Sequence, residues 1–124
     1  MDFRAMSKEV APAVIELRHD FHMHPEASMA EFRTTDRIAE ELDKMGIPYR
    51  RFDPTGLITT IQGGQPGKTV ALRADIDALS ITETADVPFK SQNEGFMHAC
   101  GHDAHTAMLL GAAMILNKIK DQLK

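Results

Sequence analysis

Met97-His98-Ala99-Cys100-Gly101-His102-Asp103-Ala104-His105 gathers the only cysteine of the chain, three of its six histidines and a carboxylate. Thiolate, imidazole and carboxylate are the donors of zinc, manganese, cobalt and nickel sites. Cys100 and His102 flank Gly101. In extended or looped backbone that spacing turns both side chains to one side, and the glycine permits the tight turn that ligation often needs. Taken singly, either residue reads as a buried thiol or a histidine at a helix start. Together, with His98 and His105 beside them, they favour a metal. His105 could instead cap the following helix, so it is placed behind the ligands or facing substrate, as is His98. Asp103 is the carboxylate expected to orient a ligand imidazole.

Working outward, Thr106 to Leu123 reads as a helix, apolar almost without a break from Ala107 to Leu116 and therefore expected to be buried on most sides. Before the segment lies an irregular stretch from about Thr82. Before that are three β-rich runs: Tyr49–Phe52, Leu57–Ile61 and Thr69–Ala74. Pro54-Thr55-Gly56 and Gly63-Gly64-Gln65-Pro66-Gly67 separate them as turns. The last run ends in Arg73-Ala74-Asp75-Ile76-Asp77, whose two carboxylates at i and i+2 face the same way. Ligands bind at the carboxyl ends of strands in α/β sheets. Two acids held together need a cation, either a metal or Arg73. A solvated strand end paired to Arg73 is an equal reading of the local residues.

At the N-terminus, Val10, Val14, Leu17 and Phe21 form an amphipathic helical stripe to about His22, with Pro12 tolerable only in its first turn. Ser28 and Glu31 have capping-box spacing. A second stripe follows, of Phe32, Ile38, Leu42 and Met45, and Gly46 stands where helices commonly stop. His22 and His24 have ligand spacing, but a helix C-terminus stabilises a histidine without metal. Two helices, β-strands and a buried helix predict a three-layer α/β fold. Gly67-Lys68-Thr69 is not a phosphate loop, because Gln62 stands where its first glycine is needed and a strand follows.

The 124 residues suffice for one domain with a real core. A net charge of −4, with acids and bases interspersed, argues against a nucleic-acid partner. No stretch predicts a membrane span or a signal peptide, and one cysteine makes no internal disulfide, so a cytoplasmic protein is expected. Cys100 as a nucleophile with a nearby histidine base is a weaker alternative, since such histidines usually come from distant sequence.

Arg18-His19-Asp20-Phe21-His22 with Pro25-Glu26, then Leu72–Leu79 with Ile81-Thr82-Glu83, then Gly95–Thr106 with Leu109–Ala113, appear in that order. The sequence resembles the metal-dependent amidohydrolases that include hippurate hydrolases, N-acyl-amino-acid deacetylases, N-acetyldiaminopimelate deacetylases and auxin-conjugate hydrolases, relatives of the aminoacylases and zinc metallopeptidases. The resemblance implies a zinc-exopeptidase-like catalytic domain and two divalent ions (zinc, manganese, nickel or cobalt). It implies Cys100 and His102 as ligands and Asp77 as the carboxylate that orients a ligand or tunes a bound water, with Asp75 its neighbouring alternative. Arg73, His98, Asp103 and His105 fall outside that ligand set. No role transfers to His22, Pro25, Glu26 or Glu83, which read as architectural.

Members of the family are longer. A glutamate pair, further histidine ligands and a lid domain that also dimerises would lie beyond Lys124. Residues 1–124 are then expected to be the N-terminal portion of a catalytic domain whose substrate is a small N-acyl amino acid, with a fragment prone to self-association. A catalytically inactive metal-binding or interaction module is the alternative.

Overall fold

The structure, a computed structural model, describes residues 1–124. In chain order it holds α1 (Phe3–Met23), α2 (Phe32–Lys44), β1 (Tyr49–Arg51), β2 (Leu57–Thr59) and α3 (His102–Lys118), then a 3-10 turn at Lys120–Gln122. Residues 60–101 carry no helix or strand beyond one antiparallel bridge, Leu79 with Met97. The core forms where the three helices meet. Leu17 and Phe21 of α1, Ile38 and Leu42 of α2, and Ala107 and Leu110 of α3 close around Ile47. Gly111 lets α1 and α3 approach: a Cβ there would come within 2.6 Å of the Val14 side chain.

α1 starts earlier than expected because Asp2 caps it, accepting the Ala5 N–H at 3.0 Å. Pro12 lies well inside the helix rather than in its first turn. It removes the bond to the Lys8 carbonyl, but both residues are exposed, so solvent can satisfy that carbonyl. The Ser28–Glu31 capping box does not form. The Glu26 carboxylate caps α2 instead, accepting the Arg33 and Thr34 N–H groups at 3.0 and 2.6 Å and the Thr34 hydroxyl at 2.7 Å. Glu31 is drawn to the hairpin turn, where it accepts the Thr55 hydroxyl at 2.6 Å. Phe32 leaves the apolar stripe and is exposed.

β1 and β2 pair antiparallel, Tyr49 opposite Thr59, as the turn residues between them predict. Gly46, at φ +66°, ends α2 as expected. Thr69–Ala74 is not a strand. A ladder needs a neighbouring backbone, and no other strand of the chain runs beside it, so Val70 and Leu72 stay exposed. For the same reason α3 is not buried all round. Ala107, Leu110 and Gly111 are buried, whereas Met108 on the other side is exposed.

Asp20 links α1 to α2, accepting from Arg33 Nη2 at 2.7 Å with Arg37 Nε at 3.4 Å. Burial raises its pKa, but the Arg33 hydrogen bond and the charges of Arg33, His24 and Arg37 outweigh that and hold it below the usual range. A depressed carboxylate stabilises the fold above its unfolded pKa, and the contribution is lost as pH falls through the folded value. The melting temperature should therefore be flat near neutrality and fall below about pH 5. Asp20→Asn should remove about 1 kcal/mol at pH 7 and shrink that fall. An acid profile unchanged by the substitution would contradict the assignment.

Candidate metal centre

Gly101 sits at φ +90°, a left-handed conformation that L side chains rarely adopt, and is the residue from which α3 departs. The turn leaves the Cys100 thiol exposed and puts His102 in the first helical turn. His102 Nδ1 lies 2.9 Å from Asp77 Oδ1 and 3.0 Å from the Asp77 carbonyl oxygen. Both are acceptors, so Nδ1 is the donor and Nε2 is the ring nitrogen left without a protein partner. This is the bearing of a metal-ligating imidazole backed by a carboxylate. The backbone beside Asp77 is fixed in turn: the Ala78 N–H donates to the Glu26 carbonyl at 2.8 Å, and the Thr106 hydroxyl to the Asp75 carbonyl at 3.2 Å.

The structure parts the two acids. Asp75 is exposed and paired to Arg73, whose Nη2 is 2.7 Å away, so the solvated pairing weighed in the sequence forms, though on irregular backbone rather than a strand end. Asp77 alone faces His102. His105 is exposed on the same turn of α3, its ring 6.0 Å from that of His102. His98 is buried with both ring nitrogens unpartnered. Burial pushes its pKa down, joined by the charges of His22 and His102, against the opposing pull of Asp103 and Asp77.

Asp103 makes its hydrogen bond to His22 and not to the His102 ring. Its carboxylate is buried and receives His22 Nδ1 at 2.7 Å and Arg18 Nε at 3.1 Å. On the other side of the His22 ring, Nε2 lies 2.8 Å from Glu83 Oε1, and Glu83 Oε2 accepts the Ser91 N–H at 2.6 Å. Phe89 closes this cluster, with His19 stacked on its ring at 4.0 Å and the Arg18 guanidinium 4.8 Å from its centre. Sequence spacing gives no sign of it, since His22 is 61 residues from Glu83 and 81 from Asp103.

No three histidine, cysteine, aspartate or glutamate side chains of the chain converge as a complete metal cage. The donors present suit one side of a divalent-ion site. A free thiol and an imidazole with Nε2 open stand one glycine apart, and two unpartnered buried nitrogens of His98 lie nearby.

Residues 71–124 match the family described as peptidase family M20/M25/M40. Over those residues the chain is similar to that family. It is 51% identical over 116 residues to thermostable carboxypeptidase 2 of Saccharolobus solfataricus, covering 92% of this chain and 30% of that protein. It is 42% identical over 124 residues to the N-acyl-L-amino acid amidohydrolase of Geobacillus stearothermophilus, covering 99% and 34%. N-acetylcysteine deacetylase of Bacillus subtilis is 44% identical over 116 residues.

The YXEP protein of Bacillus subtilis, a dinuclear metal binding peptidase from the M20 family, superposes with a TM-score of 0.87 at 42% identity, covering 98% of this chain and 33% of that one. The α/β catalytic-domain fold expected from the sequence is the fold of that neighbour. The chain spans about a third of the length of these relatives. No helix is long and apolar enough to cross a membrane.

Proposed function

We propose that these residues form the N-terminal portion of the catalytic domain of a metal-dependent amidohydrolase that cleaves N-acyl amino acids into a carboxylic acid and an amino acid. The observation that carries this reading is the 2.9 Å contact of Asp77 with His102 Nδ1, which leaves Nε2 free two residues from the exposed Cys100. Cys100 and His102 are the ligands, and Asp77 fixes the tautomer and bearing of His102. Asp75 and Arg73 pair with each other at the rim, and His98 and His105 face the site as outer or substrate-side groups. Cys100 and His102 would hold a divalent ion (zinc, manganese, nickel or cobalt, two per whole site), which when bound would supply an acidified water and a Lewis acid for the acyl carbonyl.

The remaining ligands, the general base, and the lid domain through which the family dimerises belong to the other two-thirds of a relative's length. The substrate is a small molecule in the cytoplasm, with neither nucleic acid nor membrane as partner. The deacetylase and amidohydrolase names of the relatives support this substrate class.

The lack of any three converging donors favours a companion reading, that residues 1–124 alone are a metal-binding module without turnover. The chain by itself should hydrolyse N-acetyl amino acids no faster than background. It should also self-associate through exposed apolar side chains such as Val70, Leu72 and Met108. An amine-release assay beside a full-length relative, together with light scattering, checks both. Turnover near that of the relative would overturn the incomplete-site reading.

A further inference from the structure

The buried cluster behind the candidate ligands has a defined chemistry. Each ring nitrogen of His22 faces a carboxylate oxygen, Nδ1 to Asp103 at 2.7 Å and Nε2 to Glu83 at 2.8 Å. A carboxylate oxygen accepts, so each ring nitrogen is placed to donate to the acid it faces. Burial raises the pKa of Glu83, but the hydrogen bonds from His22 and the Ser91 N–H, with the charges of His22 and Lys90, hold it below the usual range. Glu83 therefore stays an acceptor. Asp103 immediately follows His102 and sits in the first turn of α3, so whatever grips its carboxylate grips the turn that aims His102.

We propose that His22 is a positioning residue for the metal centre: held between Glu83 and Asp103, it fixes the first turn of α3 through Asp103 and thereby the direction in which His102 presents Nε2. The proposal rests on His102 being a ligand only for its consequence in metal affinity; the geometric consequence stands on its own. The two contacts of His22 can be separated. An asparagine amide nitrogen falls near the place of Nδ1 and retains the donor to Asp103. A glutamine amide nitrogen falls near the place of Nε2 and retains the donor to Glu83. Each variant leaves one carboxylate short of a partner, so both should lower the melting temperature. A purely structural role would predict no further difference between them.

The test uses the full chain with nitrogen-15-labelled histidine at neutral pH, and thermal unfolding as the check on folding. In the wild type, both His22 nitrogens should carry protons, and His102 should show one tautomer, protonated at Nδ1. His22→Gln should replace that single His102 tautomer with averaged signals, whereas His22→Asn should preserve it. Cobalt(II) titration of the same proteins should show affinity falling about 10–100-fold in His22→Gln and staying near wild type in His22→Asn. His102 signals unmoved by His22→Gln, or moved equally by both variants, would overturn the proposal. Failure of the wild-type chain to take up cobalt(II) would instead overturn the ligand assignment, with the nitrogen-15 signals still deciding the role of His22.

Discussion

Glu26→Ala should lower the melting temperature by about 10 °C, the largest loss from any single exposed or half-exposed side chain outside the core. The carboxylate accepts three hydrogen bonds, from the Arg33 N–H, the Thr34 N–H and the Thr34 hydroxyl. The two amides are among those a helix start cannot satisfy internally, and the negative charge lies at the positive end of the α2 dipole. Loss of an N-cap acceptor costs up to about 2 kcal/mol, and hydrogen bonds to a charged acceptor are each among the stronger kind, so a total of about 3 kcal/mol is reasonable. Glu26→Gln should recover part of the loss, because its amide oxygen can keep both Thr34 donors while its NH2 meets the Arg33 N–H. Thermal unfolding followed by circular dichroism measures the change. A shift below about 2 °C would show that solvent caps α2 equally well.

Asp77→Ala should weaken binding of zinc or cobalt(II) by about 10–100-fold, while Asp75→Ala should leave it unchanged. The acids are two residues apart but differ in what they touch. Asp77 holds the proton of His102 on Nδ1, and without it the ring is free to swap tautomers and turn Nε2 away. The Asp77 backbone carbonyl, also 3.0 Å from Nδ1, would remain and should keep the loss toward the lower end of that range. Asp75 pairs with Arg73 in solvent, where an ion pair contributes little. Calorimetric titration of the two variants separates them. Equal losses, or a loss at Asp75 alone, would reassign the key carboxylate.

The contrast between these acids marks what was legible in the chain. Features set by neighbours in sequence could be read: the α1 stripe of Leu17 and Phe21, the stop at Gly46, the Tyr49–Thr59 hairpin, and the turn at Gly101. Features set by distant partners could not. The run Thr69–Ala74 has strand composition, but a ladder needs another backbone alongside, and composition cannot report whether one is there.

The capping box failed for a related reason. Ser28 and Glu31 have the right spacing, yet Glu26 reaches the α2 amides first, and Glu31 finds the Thr55 hydroxyl across the fold. Asp103 sits beside a candidate ligand, which suggested that it orients one. Its partner proved to be His22, a residue whose sequence reading favours a helix-terminal histidine over a ligand.

The candidate site follows the same division. Cys100, Gly101 and His102 stand out as a candidate in the sequence because their chemistry lies within three consecutive positions. Local periodicity gives Asp75 and Asp77 the same face and only the resemblance favours Asp77; the fold then sets Asp77, not Asp75, against His102.

Cobalt(II) titration of the full chain, followed at the thiolate-to-cobalt absorption in the near ultraviolet, tests the ligand pair most directly. The structure predicts a saturable band in the wild type that is absent in Cys100→Ser and strongly weakened in His102→Ala. A wild-type chain without the band, or a band that survives either substitution undiminished, would contradict a metal centre built on Cys100 and His102.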